Sequence, residues 1–204
     1  HTGTARERHD GNAAGRNSRV DEEVYNRADI DKLGICIGDI ICLDVNYEEK
    51  QSGFIKSRFL DNKAGCFVLM ELAKKYVDKN VPVEIFFSNY EEVGHGGTCG
   101  YSPTISDLLV IDMGVLGDAC EGNEVSCSIC AKDSTGPYDY RMRQSLVRLA
   151  KANNIPYKQD VYPYYHPDGP AALSAGNAIA AALMPPGDTG PPMPHQPITH
   201  LAPK

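Results

Sequence analysis

The 204-residue sequence predicts an α/β fold, in which a sheet carries helices on both faces. Two observations carry this prediction. The runs at 83–89 and 107–113 are short and nearly continuously apolar, as is typical of central strands that are covered on both sides. Between such runs the apolar spacing becomes helical, most clearly at 63–78 and 138–152. Apolar residues make up 42% of the chain and charged residues 23%, so an ordinary globular core can form.

The first half of the chain is expected to form two strands and then a helix. The Ile-rich run 38–45, bounded by Gly and Asn, and the run 53–60 are predicted to pair as strands. The helix at 63–78 would begin at an N-cap supplied by Asp61 or Asn62. Its predicted buried face consists of apolar residues at spacings of four, three and four: Cys66, Met70, Ala73 and Val77.

The second half continues the alternation of strands and helices. Strands are predicted at 107–113, 124–132, 157–164 and 179–184. Helices are predicted at 138–152 and 170–177.

Charge and composition exclude several classes of function. The 20 basic and 27 acidic side chains give a net charge of −7, which disfavours nucleic acid as a partner. No run approaches the ~18 apolar residues of a membrane span, and no signal peptide opens the chain, so no membrane partner is expected. Seven cysteines are an odd number, which favours free thiols and a cytoplasmic location.

Acidic residues follow three of the predicted strands. Asp61 comes after 53–60, Glu91 and Glu92 follow 83–89, and Asp112 closes the next strand. Because the carboxyl ends of strands meet at one edge of an α/β sheet, these acids should lie close together. Their mutual repulsion calls for proton sharing or a cation, and a divalent metal ion is the simplest answer.

Each acid alone has a plainer interpretation. Asp61 could simply be the N-cap of a helix, the Glu pair could lie in a solvated loop, and Asp112 could cap a loop. Together they favour a metal site, in which one of the two adjacent Glu residues binds metal and the other acts on water.

Other motifs in the sequence are weaker. The glycines at 94–100 miss the G-x-G-x-x-G frame at Cys99, and the preceding acids would repel phosphate. Cys127 and Cys130 form a C-x-x-C inside a predicted strand, where they would point to opposite faces and serve the core. The sequence contains neither G-x-S-x-G nor H-E-x-x-H.

Five strings in order and spacing resemble the M42 family of metallo-aminopeptidases, over about residues 20–184. These strings are SGFIKSRFLDNKAG (52–65), NYEEVGHGG (89–97), LLVIDMG (108–114), CAKDSTGPYDY (130–140) and DVYPYY (160–165). The resemblance implies a zinc-peptidase-like catalytic domain interrupted by an inserted β domain. It also implies a peptide substrate and a homo-oligomer of twelve subunits.

The resemblance further implies a site with two divalent metal ions, zinc or cobalt, with manganese as a further candidate. Asp61 matches the Asp that bridges the two metals, and Asp112 matches a ligand of one of them. Glu92 matches a ligand of the other metal, whose shell His200, in a Thr-His pair, would complete. Glu91 matches the general base.

The sequence also departs from the family pattern. No residue matches the early His ligand of the family, so the chain resembles a member that is truncated at its N-terminus. Residues 1–52 are then expected to be the C-terminal part of the inserted β domain, and 53–204 an incomplete catalytic domain. Asn62 stands where the family usually has a second Asp.

Three functions compete at this point. The first is an aminopeptidase that releases N-terminal residues from short peptides through a metal-bridging water activated by Glu91. The second is an inactive or metal-poor fragment that serves only in structure or assembly. The third, a polysaccharide hydrolase, is disfavoured because the chain contains no Trp to line a sugar groove.

Overall fold

The computed structural model describes residues 24–40, 42, 44–117, 119–165, 168–177, 179–184 and 199–201. The helices are α1 (Arg27–Lys32), α2 (Leu60–Tyr76), α3 (Tyr140–Ala152) and α4 (Asp168–Ser174), and a 3₁₀ turn covers Glu91–Val93. The strands are β1 (Glu48–Glu49), β2 (Ile55–Ser57), β3 (Asp107–Val110), β4 (Cys127–Lys132), β5 (Tyr157–Val161), β6 (Ala180–Leu183) and β7 (Thr199–Leu201). Of the helices described, none combines the length and apolar character that crossing a membrane requires.

The main sheet confirms the α/β prediction. Its strand order is β3-β6-β4-β5, with β3 parallel to β6 and β4 parallel to β5. The two pairs meet in antiparallel sense where Cys130 lies opposite Leu183, so the sheet is mixed. Helix α3 packs against β4 and β6, and α4 packs against β3 and β6. These helices anchor the sheet that carries Asp112 at its edge.

The core lies in the middle strands of this sheet. Cys130, Tyr162 and Leu183 are almost completely buried. The Tyr162 and Ser128 hydroxyls form a hydrogen bond of 2.7 Å with each other, so each of these buried polar groups has a partner. Burial raises the pKa of the Cys130 thiol to about 12. A thiol in that state is a poor nucleophile and metal ligand, which agrees with a core role for this half of the C-x-x-C pair.

A second, smaller sheet joins β1, β2 and β7 in antiparallel order. Strand β2 covers only Ile55–Ser57 of the predicted run 53–60, because α2 already starts at Leu60. This sheet brings the backbone of His200 opposite Lys56.

Two predicted strands are wrong. Residues 38–45, as far as they are described, and residues 83–89 pair with no strand in the described part of the chain. Their apolar side chains are exposed: Ile40 by 89%, Val83 by 66% and Phe87 by 47%. A strand depends on a neighbouring backbone to satisfy its N–H and C=O groups and on a layer to cover its side chains. The composition of both runs favours strands, but the described part of the chain supplies neither a neighbouring strand nor a layer that covers their side chains.

The helix predicted at 63–78 is confirmed as α2, but its predicted buried face is wrong. Met70 and Val77 are 51% and 76% exposed, whereas the buried residues of α2 are Ala64 and Gly65 in its first regular turn. The spacing of the apolar residues shows which side of the helix is apolar. It does not show whether another element covers that side.

Candidate metal centre

Asp112 lies just beyond the end of β3 and is only 3% exposed. Its Oδ1 accepts a hydrogen bond from the Met113 N–H at 2.8 Å, and its Oδ2 accepts one from the Tyr165 hydroxyl at 2.7 Å. Burial above all, together with the charges of Asp61 and Glu92, raises the pKa of Asp112 to about 7, although the two hydrogen bonds act in the opposite direction. Burial and like charges therefore both disfavour the ionised carboxylate.

Asp61 lies at an irregular start of α2. Its φ and ψ of −76° and 117° are not helical, and the Asp61–Asn62 peptide bond is cis. The side chain is partly buried, and burial raises its pKa. The regular helix starts after Asn62, whose Oδ1 accepts a hydrogen bond from the Gly65 N–H at 3.0 Å. Asn62, and not Asp61, therefore acts as the N-cap.

Glu91 and Glu92 open the 3₁₀ turn. The residues that flank this turn, Tyr90 and Gly94, both have left-handed backbones, with φ of 65° and 74°. The Gly94 N–H donates to the Glu91 carbonyl at 2.8 Å, which closes the turn. This tight turn leaves Glu91 partly buried and Glu92 exposed. The two adjacent acids thus have different surroundings.

Tyr165, which follows β5, is a functional candidate that sequence reasoning missed. Besides its bond to Asp112, its ring meets the Tyr162 ring edge-on at a centroid distance of 5.9 Å. Burial raises the pKa of Tyr165 well above its ordinary value, and the charges of Asp112, Asp61 and Glu91 add to the rise. The Tyr165 hydroxyl therefore stays protonated and can donate a hydrogen bond, although three acids lie near it. The only signal in the sequence is the run of three tyrosines at 162–165, which does not show which of them reaches an acid.

The structure brings four of the five predicted site residues into one electrostatic cluster. Asp61 and Glu92 act on Asp112, and Glu91 acts on Tyr165, which is bonded to Asp112. His200 lies on β7, and its side chain falls outside what the structure describes. Within the described residues, no group of three or more His, Cys, Asp or Glu side chains is close enough to hold a metal ion. The acids share an electric field but do not form a coordination shell.

The chemistry of the cluster fits a divalent cation. Within the part of the chain that the structure describes, Asp112 forms hydrogen bonds but no ion pair. A buried carboxylate with two like charges nearby is neutralised either by a proton or by a cation. Carboxylate oxygens bind zinc, cobalt and manganese readily, and a divalent ion would reverse the repulsion among them.

The fold matches that of archaeal aminopeptidases of known structure. The aminopeptidase APDkam598 from Desulfurococcus kamchatkensis gives a TM-score of 0.71 at 20% identity, over 89% of this chain and 53% of that one. The Pyrococcus horikoshii TET1 peptidase, which can assemble into a tetrahedron or a large octahedral shell, gives a TM-score of 0.64 at 18% identity, over 76% and 47% of the two chains. The fold class is therefore that of the TET aminopeptidases, and a likeness at this identity shows the fold alone.

Sequence relatives then give the family. The chain is 42% identical over 173 residues to "Putative aminopeptidase YhfE" of Bacillus subtilis (strain 168), which covers 83% of this chain and 50% of the relative. It is 30% identical over 156 residues to a "Putative aminopeptidase" of Acetivibrio thermocellus, covering 72% and 47%. The sequence model of the M42 glutamyl aminopeptidases matches residues 1–189. The chain belongs to this family, which confirms the resemblance, and it spans about half the length of the curated relatives it matches.

Proposed function

We propose that this chain carries the acidic part of the active site of an aminopeptidase that uses two divalent metal ions to hydrolyse N-terminal residues from short peptides. Family membership supports peptide hydrolysis. The observation that carries the site is the convergence of acids from three separate elements. The charges of Asp61, at the start of α2, and of Glu92, in the 3₁₀ turn, both act on the buried carboxyl of Asp112 after β3.

Four side chains would hold the metals. Asp61 would serve both ions, Glu92 and His200 one of them, and Asp112 the other, with zinc or cobalt favoured and manganese a further candidate. When bound, such ions supply a water of lowered pKa and polarise the scissile carbonyl. The described acids are not yet close enough to share an ion, so the proposal requires their side chains to draw together when the metals bind.

Glu91 would act as the proton carrier. It is partly buried in the same turn as Glu92, and its charge reaches Tyr165. A carboxylate in this position can accept the proton of the attacking water and then deliver it to the leaving amine, so the proton removed from water ends on the new N-terminus. The cluster of negative charge also attracts a free α-amino group, and peptides whose N-terminus is blocked should therefore be poor substrates.

A metal-poor chain with a structural or assembly role is the second candidate. It is favoured by the described acids, among which no group of three is close enough to hold a metal ion. The two candidates differ in whether the chain binds metal at all, which is directly measurable.

Several broader properties are part of the proposal. The TET1 peptidase of Pyrococcus horikoshii can assemble into a tetrahedron or a large octahedral shell, and we propose that this chain also acts as a homo-oligomer. Residues 1–52 are proposed as part of an inserted β domain and 53–204 as part of the catalytic domain. A cytoplasmic location stays a prediction from the cysteine count.

The test is metal content and peptide hydrolysis measured on the same preparation. We expect the cobalt-loaded chain to hydrolyse leucine p-nitroanilide and to leave the N-acetylated compound intact. Glu91→Gln should keep the metal and lose turnover, whereas Glu84→Gln, a matched change at an exposed glutamate, should change neither. Metal content of zero would contradict the metal site. Stoichiometric metal without hydrolysis would favour the structural alternative, and equal turnover in Glu91→Gln would contradict its role as the base.

A further inference from the structure

The side chain of Asn62 links two of the proposed metal ligands. It follows Asp61 directly, and its Nδ2 donates to the carbonyl of Ile111 at 2.8 Å, the residue that precedes Asp112. Its Oδ1 accepts from the Gly65 N–H at 3.0 Å in the first regular turn of α2. One amide thus connects the start of α2 to the end of β3, two segments that lie 49 residues apart along the chain.

The Asn62 amide makes both bonds at once because it carries a donor and an acceptor, which an ionised carboxylate does not. The partner on one side is a carbonyl, which needs a donor, and the partner on the other is an N–H, which needs an acceptor. A carboxylate at this position could accept from Gly65 but would turn a lone pair towards the Ile111 carbonyl. The two partners therefore fix the orientation of the Asn62 amide.

Gly65 provides the space that this arrangement needs. A Cβ on Gly65 would lie 2.2 Å from Asn62 Oδ1, far inside contact distance. Glycine inside a helix costs about 1 kcal/mol relative to alanine. At this position the missing side chain lets the Asn62 amide approach the backbone, so Gly65 offers a second way to disturb the same contact.

We propose that Asn62 is a positioning residue: it ties the segment that carries Asp61 to the segment that carries Asp112, so that both acids are directed at the same pair of metal ions. This inference rests on the proposed metal site. Asn62 acts on the metals only through the two acids, since its own Oδ1 and Nδ2 are engaged by Gly65 and Ile111. Removing the amide removes this link between the start of α2 and the end of β3, so the positions of the two acids relative to each other should change.

The first experiment uses the metal-free chain. The carboxyl carbon signals of Asp61 and Asp112 are recorded by NMR in wild type, Asn62→Ala and Asn153→Ala. Asn153 is the matched control, because its Nδ2 also donates to a backbone carbonyl at 2.8 Å, at the end of α3. We expect both acid signals to shift in Asn62→Ala and to stay in place in Asn153→Ala. Unchanged signals in Asn62→Ala would overturn the proposal.

The second experiment measures cobalt affinity and the visible spectrum of bound cobalt, which reports on the ligand geometry. Loss of a residue that orients metal ligands lowers affinity by roughly 10- to 100-fold. We expect such a loss in Asn62→Ala and in Gly65→Ala, together with a changed spectrum. The double variant should lose no more than either single one, because both remove the same contact. Losses that multiply would overturn the proposal, as would an affinity equal to that of Asn153→Ala.

The two experiments separate the failures. A wild type that binds no cobalt, while the acid signals still shift in Asn62→Ala, would refute the metal site and leave the link between the acids standing. A wild type that binds cobalt, with Asn62→Ala unchanged in affinity and spectrum, would refute the role of Asn62 and leave the metal site standing. Urea unfolding of each metal-free variant shows that the compared proteins are folded.

Discussion

In the metal-free protein, the buried carboxyl of Asp112 should make stability fall as the pH rises from 5 to 8. The pKa of this group is about 7 in the folded chain against an ordinary 3.8. Below pH 4 the carboxyl is protonated in both the folded and the unfolded chain, so its contribution to stability is fully present. Above pH 4 the unfolded chain releases the proton first, and the contribution is lost as the pH rises through 7.

The size of the effect follows from the same pKa difference. A pKa difference of about three, at about 1.4 kcal/mol for each unit, corresponds to ~4 kcal/mol of unfolding free energy from this single group in total. Part of it is lost below pH 5, so about 2.5 kcal/mol should be lost between pH 5 and pH 8. The assay is urea unfolding with a chelator at pH 5, 6, 7 and 8. Asp112→Asn, which keeps a neutral side chain at every pH, should remove most of this slope. Asp78→Asn, at an exposed carboxyl after α2, serves as the matched control and should retain it.

Two results would refute this reasoning. Wild-type stability that rises between pH 5 and 8 would mean that Asp112 is already ionised in the folded chain. An unchanged slope in Asp112→Asn would assign the pH dependence to other groups. Saturating cobalt should reverse the trend in the wild type, because metal binding requires the ionised carboxylate and therefore favours high pH.

Four further predictions follow from the site and the exposed surface. Tyr165→Phe removes the hydrogen bond that favours ionised Asp112 and should cost about 1.5–3 kcal/mol at pH 8 and less at pH 5; urea unfolding with an equal loss at both would speak against that bond. Glu91→Gln should lower kcat by at least ~100-fold with metal content unchanged; turnover within a few fold of wild type rules out the proton carrier. Asp61→Asn should lower metal content at both positions, measured by elemental analysis, and full occupancy would end the bridging assignment. Phe87→Asp should reduce self-association and dye binding at the exposed apolar segment, measured by light scattering and fluorescence; no change would show that this surface is not adhesive.

The sequence predicted the elements that are stabilised by local hydrogen bonds or by pairing with one another. Helix α3 ends at Ala152, as predicted, and starts two residues later than predicted, at Tyr140, because Asp139 is its N-cap and its side chain accepts from the Met142 N–H. The strands β3 to β6 fall within the predicted runs and form a single sheet, whose buried apolar residues include Cys130, Ala181 and Leu183. Local propensity and burial agree there, which is the condition under which sequence patterns are reliable.

The pattern failed where an element depends on something beyond itself. The apolar run at 83–89 has strand composition, yet no strand in the described part of the chain pairs with it, and Phe87 remains half exposed. Periodicity predicts which face of an element is apolar. Which other element packs against that face depends on the rest of the structure.

The acids of the site were predictable because each follows an apolar run. Only Asp112 follows a strand of the main sheet, so the geometry of one sheet edge does not account for their convergence. The supporting contacts were not predictable. The bond of Tyr165 to Asp112 spans 53 residues, and that of Asn62 to Ile111 spans 49. Such contacts depend on how loops fold back over the sheet, and residue type and spacing do not encode this.

The central claim is that Asp61, Glu92 and Asp112 hold divalent metal. Anomalous X-ray scattering from crystals soaked in cobalt, recorded above and below the cobalt edge, tests it most directly. The account predicts one or two peaks beside these three carboxylates, with Asp61 next to each of them. Ordered crystals whose acids remain apart, with no peak between them, would contradict it.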